Sequence, residues 1–251
     1  MTQYVTTRSD HRTSHWVDGT PMDWEEQPNS IAVVRIEPLE RTGDGVLVWY
    51  GIQGMWVGEE DEAGWEDWAS EFEAIAGTAM YQMINAQHMP SGRAFSEPEE
   101  TDTARAVEQA HLHLKTLVPV TFPDVPIGVG GVWEVHDYAE VSGIGMRMQR
   151  VFRVKSISGQ RVTIETAQRH VGTPGPMPPM GSVDADRELL VRELLITGWL
   201  EMDLGLVAPI FGELHGETKT RIRVHRDDDW FEVASLANFR HTWEPYEEEQ
   251  E

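Results

Sequence analysis

Residues 117–133, LVPVTFPDVPIGVGGVW, govern the reading of the whole chain, because neither a helix nor a strand can run through them. Pro119, Pro123 and Pro126 fix φ and push the residues before them into extended geometry. Gly128, Gly130 and Gly131 then permit positive φ or close backbone approach. A strand pattern opens at residues 132–135, with Trp133 placed to anchor it in a core. A phosphate cradle at Gly128-Val129-Gly130-Gly131 needs a helix after it, and a strand follows instead, so nucleotide binding is disfavoured.

Strand patterns dominate on both sides of this hinge. Residues 31–39 are β-branched and apolar, residues 40–45 supply turn chemistry, and Val46, Leu47, Val48, Trp49 and Tyr50 resume the apolar run. Beyond the hinge, Met146, Met148, Arg150, Phe152 and Val154 share one parity, Ser158-Gly159-Gln160 makes a turn, and Val162, Ile164 and Thr166 continue the alternation. Setting Gly43 on Gly159 carries Val46 onto Val162 and Val48 onto Ile164, and a slightly larger offset carries Gly77 onto Gly198. A third hairpin is expected over residues 217–243, turning at residues 226–229. Residues 187–195 fit helix or strand equally.

One helix is expected over residues 101–117, where Val107, Ala110, Leu114 and Leu117 form a stripe that ends at Pro119. A weaker helical spacing joins Trp65, Trp68, Phe72 and Ile75. Residues 172–182, rich in proline and glycine, read as an exposed loop without a ladder. The expected architecture is mainly β, with antiparallel strands, about ten in number, forming a barrel or sandwich. It is read as one domain over residues 1–243, with related halves at 1–100 and 130–243, the linking helix, the hinge at 118–133, and a disordered acidic tail at 244–251.

Composition bounds the chemistry. The 251 residues carry 43 acids and 20 bases, a formal charge of −23, which opposes binding to nucleic acid and to anionic membrane surfaces. A content of 40% hydrophobic residues suffices for a core, and the lack of cysteine removes disulfides, thiolate nucleophiles and cysteine-ligated metals. No apolar run approaches the roughly 18 residues of a membrane span, and residues 1–16 lack a leader pattern, so direct membrane insertion is not expected.

Catalytic and metal motifs are weak. His111 and His113 stand two apart on the expected helix and point to different sides; His11 and His15 lie in a strand or loop. Asp227, Asp228 and Asp229, and Asp184 with Asp186, lack the spacing of a calcium loop. No Gly-x-Ser-x-Gly elbow occurs, and Ser142-Gly143 and Ser158-Gly159 read as turns. Ten tryptophans are the more unusual feature. Trp56, Trp65 and Trp68 flank the acidic residues Glu59, Glu60, Asp61 and Glu62, where aromatics could hold a ligand. Met146 and Met148 could line an adaptable apolar cavity. These five residues are the candidate ligand site; no catalytic residue, metal or cofactor is expected.

The segment containing Pro123, Pro126, Ile127, Gly128, Val129, Gly130 and Trp133, followed by Gly159-Gln160-Arg161-Val162-Thr163, resembles a domain-of-unknown-function family of bacterial exported proteins and lipoproteins. Its pattern is a proline-rich centre ending in Val-Gly-x-x-Trp, then a Gly-x-x-Val-Thr hairpin. The resemblance covers residues 117–164 and implies an exported, β-rich protein, outside the cytoplasm once a leader is removed. It transfers no functional residue.

Together these features favour a non-enzymatic binding or interaction protein of the bacterial envelope, holding an apolar or lipid-like ligand or binding an unidentified protein partner. A structural subunit of a larger assembly and a hydrolase using carboxylates or histidines are the rivals.

Overall fold

The computed structural model describes residues 2–22, 25–57, 76–87, 90–97, 120–141, 144–177, 186–226 and 229–246. The elements are β1 (Gln3–Val17), β2 (Thr20–Pro21), β3 (Glu25–Thr42), β4 (Gly45–Val57), β5 (Ala79–Ile84), β6 (Pro90–Glu97), β7 (Val132–Val141), β8 (Ile144–Ser158), β9 (Arg161–Gly172), β10 (Gly175–Pro176), β11 (Arg187–Asp203), β12 (Phe211–Arg226) and β13 (Asp229–Pro245). All belong to one antiparallel sheet in the order β6-β5-β4-β3-β1-β13-β12-β11-β9-β8-β7, with β2 on β1 and β10 on β11.

The mainly β, antiparallel architecture agrees with the sequence. The strands form a single open path, neither closed into a barrel nor divided into two facing sheets. The expected helix at residues 101–117 and the spacing from Trp65 to Ile75 lie outside the described residues. Residues 187–195 are strand, because they pair with β12 and, from Glu193 on, with β9. Two expectations about irregular segments change. Gly175 and Pro176 form a two-residue ladder with Leu189 and Glu188, since Pro176 needs no amide to complete it. Glu244 and Pro245, placed in the tail by sequence, continue β13 opposite Thr6 and Val5; residues 247–251 lie outside the described residues.

Turn chemistry fixes the hairpins. Asp18 and Gly19 both have positive φ, 47° and 77°, which suits the two-residue connection of β1 to β2. Gly159, at φ 61°, is the first of two residues between Ser158 and Arg161, a place where glycine avoids Cβ strain. The hairpin turns β3–β4 and β8–β9 lie at the same end of the sheet and send Val48 and Ile164, both fully buried, into one core. The Gly77 and Gly198 alignment has no such counterpart: Gly77 lies in the turn before β5, whereas Gly198 lies within β11.

Residues 120–131 show why the sheet is curled. The Phe122 amide donates to the Gln87 carbonyl at 2.7 Å, beside β5, while the neighbouring Thr121 carbonyl accepts from Trp133 Nε1 at 2.7 Å, on β7. On a flat sheet β5 and β7 would stand roughly 40 Å apart at about 4.8 Å per strand. Adjacent residues reach both, so the sheet bends until its two margins approach each other at this end. The hinge is therefore a strap. Gly130 and Gly131 finish it by exchanging backbone bonds with Val154 at 2.8 and 3.0 Å.

The core lies beneath the strap. Val34, Ile36, Val48, Tyr50 and Ile52 meet Trp133, Phe152, Ile164, Leu200, Met202 and Trp243 in one cluster at the strap end of the strands. A second, smaller cluster of Ile144, Met146 and Leu189, with Met177 and Ile222 against it, sits toward the opposite end. On the other face several aromatics lie on glycines, among them Trp49 on Gly51, Trp56 on Gly54 and Tyr138 on Gly145, where an added Cβ would strike the ring.

Candidate functional site

Register assigns every side chain to one of two faces. The outer face carries charge ladders: Lys155 pairs with Glu165 at 2.8 Å, Arg169 with Glu193 at 2.7 Å, Arg240 with Glu213 at 2.6 Å and Arg161 with Glu201 at 3.3 Å. These are half-exposed cross-strand pairs that suit a hydrated surface and stabilise little individually. A shallow groove of about 270 Å³ also lies there, lined by Arg35, Glu37, Leu39, Trp49 and Tyr81.

The inner face changes character along its height. Above the apolar core runs a belt of buried polar residues, including Thr7, Ser9, His241, Thr166 and Gln168. Within it, Ser9 Oγ and His241 Nδ1 meet at 2.5 Å across the β1–β13 ladder. The pair has the first contact of a nucleophile and base. A working dyad also needs a third group orienting the base and access for substrate. Both residues are only 8% exposed, and the inner-face carboxylate Asp137 lies on β7, five strands from β13. The described geometry thus supports a packing role for Ser9 and His241.

The more distinctive cluster lies on β7, β8 and β9. Arg150 donates through Nη2 to Asp137 Oδ2 and, at 3.0 Å, to Thr121 Oγ1 of the strap. Its side chain is 14% exposed and that of Asp137 19%, so this ion pair is far drier than the outer ladders. The Arg150 Nε is shielded from solvent and makes no hydrogen bond among the described residues. Two residues farther along the neighbouring strand, His170 Nε2 meets Gln168 Oε1 at 3.3 Å. Burial and the nearby Arg150 charge lower the His170 pKa to about 4, with Asp137 opposing, so the ring is neutral at pH 7. Arg192 follows on β11 beside Gly172, Leu189 and Met146; burial lowers its pKa.

The five residues expected to bind a ligand divide between faces. Met146 and Met148 project inward, at the second apolar cluster and opposite His170. Trp56 projects outward and is 52% exposed. The cause is a bulge at Gln53: Val34 stands opposite Ile52 but Val33 opposite Gly54, so parity reverses, Met55 turns to the core and Trp56 away from it. Trp65 and Trp68 lie outside the described residues, as do His111, His113, Asp184, Asp227 and Asp228. His11 stands on β1 and stacks on Phe239 at 5.9 Å, its pKa lowered by burial. Among the described residues no three His, Asp or Glu side chains converge as metal ligands, and no helix is long and apolar enough to cross a membrane.

Sequence reading counted Arg150 among the alternating residues of its strand without assigning it a role. The available signal was an arginine on the apolar parity of Met146, Met148, Phe152 and Val154.

No family model and no curated protein matches this chain. Among solved structures it is similar to lipovitellin, in a structure titled for lipid–protein interactions, with a TM-score of 0.51 and 9% sequence identity over 98% of this chain and 25% of that one. The chain thus spans about a quarter of the lipovitellin chain, and at this identity the likeness is one of fold.

Proposed function

We propose that this chain is a non-enzymatic binding protein of the bacterial cell envelope that holds an apolar, lipid-like ligand against the inner face of its curled sheet. The observation that carries this reading is the sidedness of the sheet away from the strap. There the outer face is laced with ion pairs, while the inner face carries a second apolar cluster, the buried Met146 and Leu189 with the partly buried Met177 and Ile222, separate from the main core. Methionine suits such a surface because its unbranched thioether adapts to ligands of varied shape. The likeness of fold to lipovitellin supports a lipid-like ligand, and the resemblance of residues 117–164 to exported bacterial proteins supports an envelope location.

The test is native mass spectrometry of protein purified without detergent, followed by organic extraction and titration with hexadecanol. A bound mass that extracts as lipid, or saturable uptake of hexadecanol, is the expected result. A ligand-free spectrum together with no uptake of hexadecanol overturns the reading.

A further inference from the structure

The outer face changes chemistry from one half of the sheet to the other. On β11, β12 and β13 it carries cross-strand ion pairs, whereas on β1, β3, β4 and β5 aromatic rings gather around one ion pair. Glu37, Trp49 and Tyr81 stand in a single row across β3, β4 and β5. In the next row Tyr4 stands opposite Arg35, and Tyr246 lies 6.3 Å from Tyr4 between ring centres. Arg35 joins the two rows: its Nη2 donates to Glu37 Oε2, and its guanidinium carbon is 5.4 Å from the centre of the Trp49 ring. Tyr4, Tyr246 and Trp56 are exposed.

Two tryptophans lie down along β4. Trp49 reaches forward over Gly51 and Trp56 reaches back over Gly54, where a Cβ would strike either ring. Gly51 and Gly54 face Arg35 and Val33, two residues apart on β3, so the two indoles approach within about 7 Å of each other. They form an aromatic strip along the strand. The bulge at Gln53 permits it, because regular alternation from Trp49 would turn Trp56 inward. Beside the strip, Trp49 and Tyr81 share the shallow 270 Å³ groove with Arg35, Glu37 and Leu39.

We infer that this surface binds a neutral glycan chain, with pyranose rings stacked on Trp49 and Trp56 and hydroxyls bonded to Arg35 and Glu37. A pyranose has an apolar C–H face and a polar rim. Aromatic faces suit the first, and a donor and an acceptor beside them suit the second. The groove is too small to engulf a ligand, which fits a chain lying across the surface. The formal charge of −23 repels anionic polymers and leaves a neutral chain unopposed. This role is additional to the one proposed for the inner face and does not depend on what that face holds.

Calorimetric titration of the whole chain with cellohexaose, chitohexaose and maltohexaose tests it. At least one of these neutral hexasaccharides is expected to bind saturably, and Trp56→Ala to weaken that binding about tenfold, the scale of one stacked ring. Trp56→Phe should keep most of the affinity. Since Trp56 is exposed, the Tm of Trp56→Ala is expected to match the parent. Trp230→Ala removes an equally exposed tryptophan beside the β12–β13 turn and should leave binding unchanged. Arg35→Met keeps the stem beside Trp49 but removes the donors, and should weaken binding severalfold. The inference is overturned by no binding of any hexasaccharide, by full affinity in Trp56→Ala or Arg35→Met, or by equal losses in Trp56→Ala and Trp230→Ala. Decaproline binding more tightly than every hexasaccharide also overturns it, in favour of a proline-rich peptide on the same rings.

Discussion

The two ends of the sheet are built from the same strands and behave as different materials. At the strap end, the inner side chains of β3, β4, β8, β9, β11 and β13 close over one another, and Tyr50, Phe152, Leu200 and Trp243 are almost wholly buried. Toward the other end, β11 and β13 run through residues of intermediate exposure, with only a small apolar cluster on the inner face. The difference follows from curvature. Where the strap draws the margins together, inner side chains find partners across the fold; where it does not, each strand packs mainly on its sheet neighbours. The first arrangement supplies stability, and the second leaves the inner side chains of β11 and β13 at intermediate exposure.

The largest test of this contrast is deletion of matched apolar bulk. Phe152→Ala at the strap end should cost about 3–5 kcal/mol in urea unfolding, whereas Ile222→Ala at the other end should cost less than about 2. Equal losses would erase the distinction. Between the two zones, Asp137→Asn strands the Arg150 charge and should cost about 3 kcal/mol, with Arg150→Met/Asp137→Leu recovering most of it. A double variant as unstable as the single one would show that the pair does more than satisfy itself.

Smaller effects sharpen the picture. Trp133→Phe removes the bond to the Thr121 carbonyl and should lower stability by about 1 kcal/mol, with faster hydrogen exchange at the Phe122 amide. Tyr50→Phe should be neutral or stabilising by up to about 1 kcal/mol, since the Tyr50 hydroxyl is buried without a hydrogen bond among the described residues and burial pushes its pKa upward. The smallest effect concerns His170, whose folded pKa of about 4 lies below the ordinary 6.5. The unfolded chain then binds more protons between those values, so stability should fall as pH drops from 6.5 to 4 and level off below. His170→Gln should flatten that slope by about 1 kcal/mol or less, allowing for the partial exposure of the ring.

Much of the sheet was legible because its signals are local. Alternation through Met146 to Val154 and the turn at Gly159 define β8 and β9 without reference to anything distant, and Asp18-Gly19 is an equally local turn signal. Strand order was not legible. That β1 lies between β3 and β13 depends on pairing across more than 200 residues, for which sequence gives no register. The hinge could be read as a redirection of the chain, but its contacts with Gln87 and Trp133 depend on curvature. At the site, Met146 and Met148 followed from parity. Trp56 did not, because one bulged residue reversed the alternation that placed Val48, Tyr50 and Ile52 inside.

The central position of β13 also bears on how the chain is made. β3, β4, β5 and β6 pair in chain order, and β7, β8, β9, β11 and β12 do the same, so both meanders can assemble as they leave the ribosome. The seam between them is β1 against β13, and β13 is made after the other strands of this sheet. Until it arrives, β1 and β12 each present a long unpaired edge, the state in which such a chain is most exposed to wrong partners. The sheet is thus completed from its middle, and a chaperone guarding this protein would have to guard its centre.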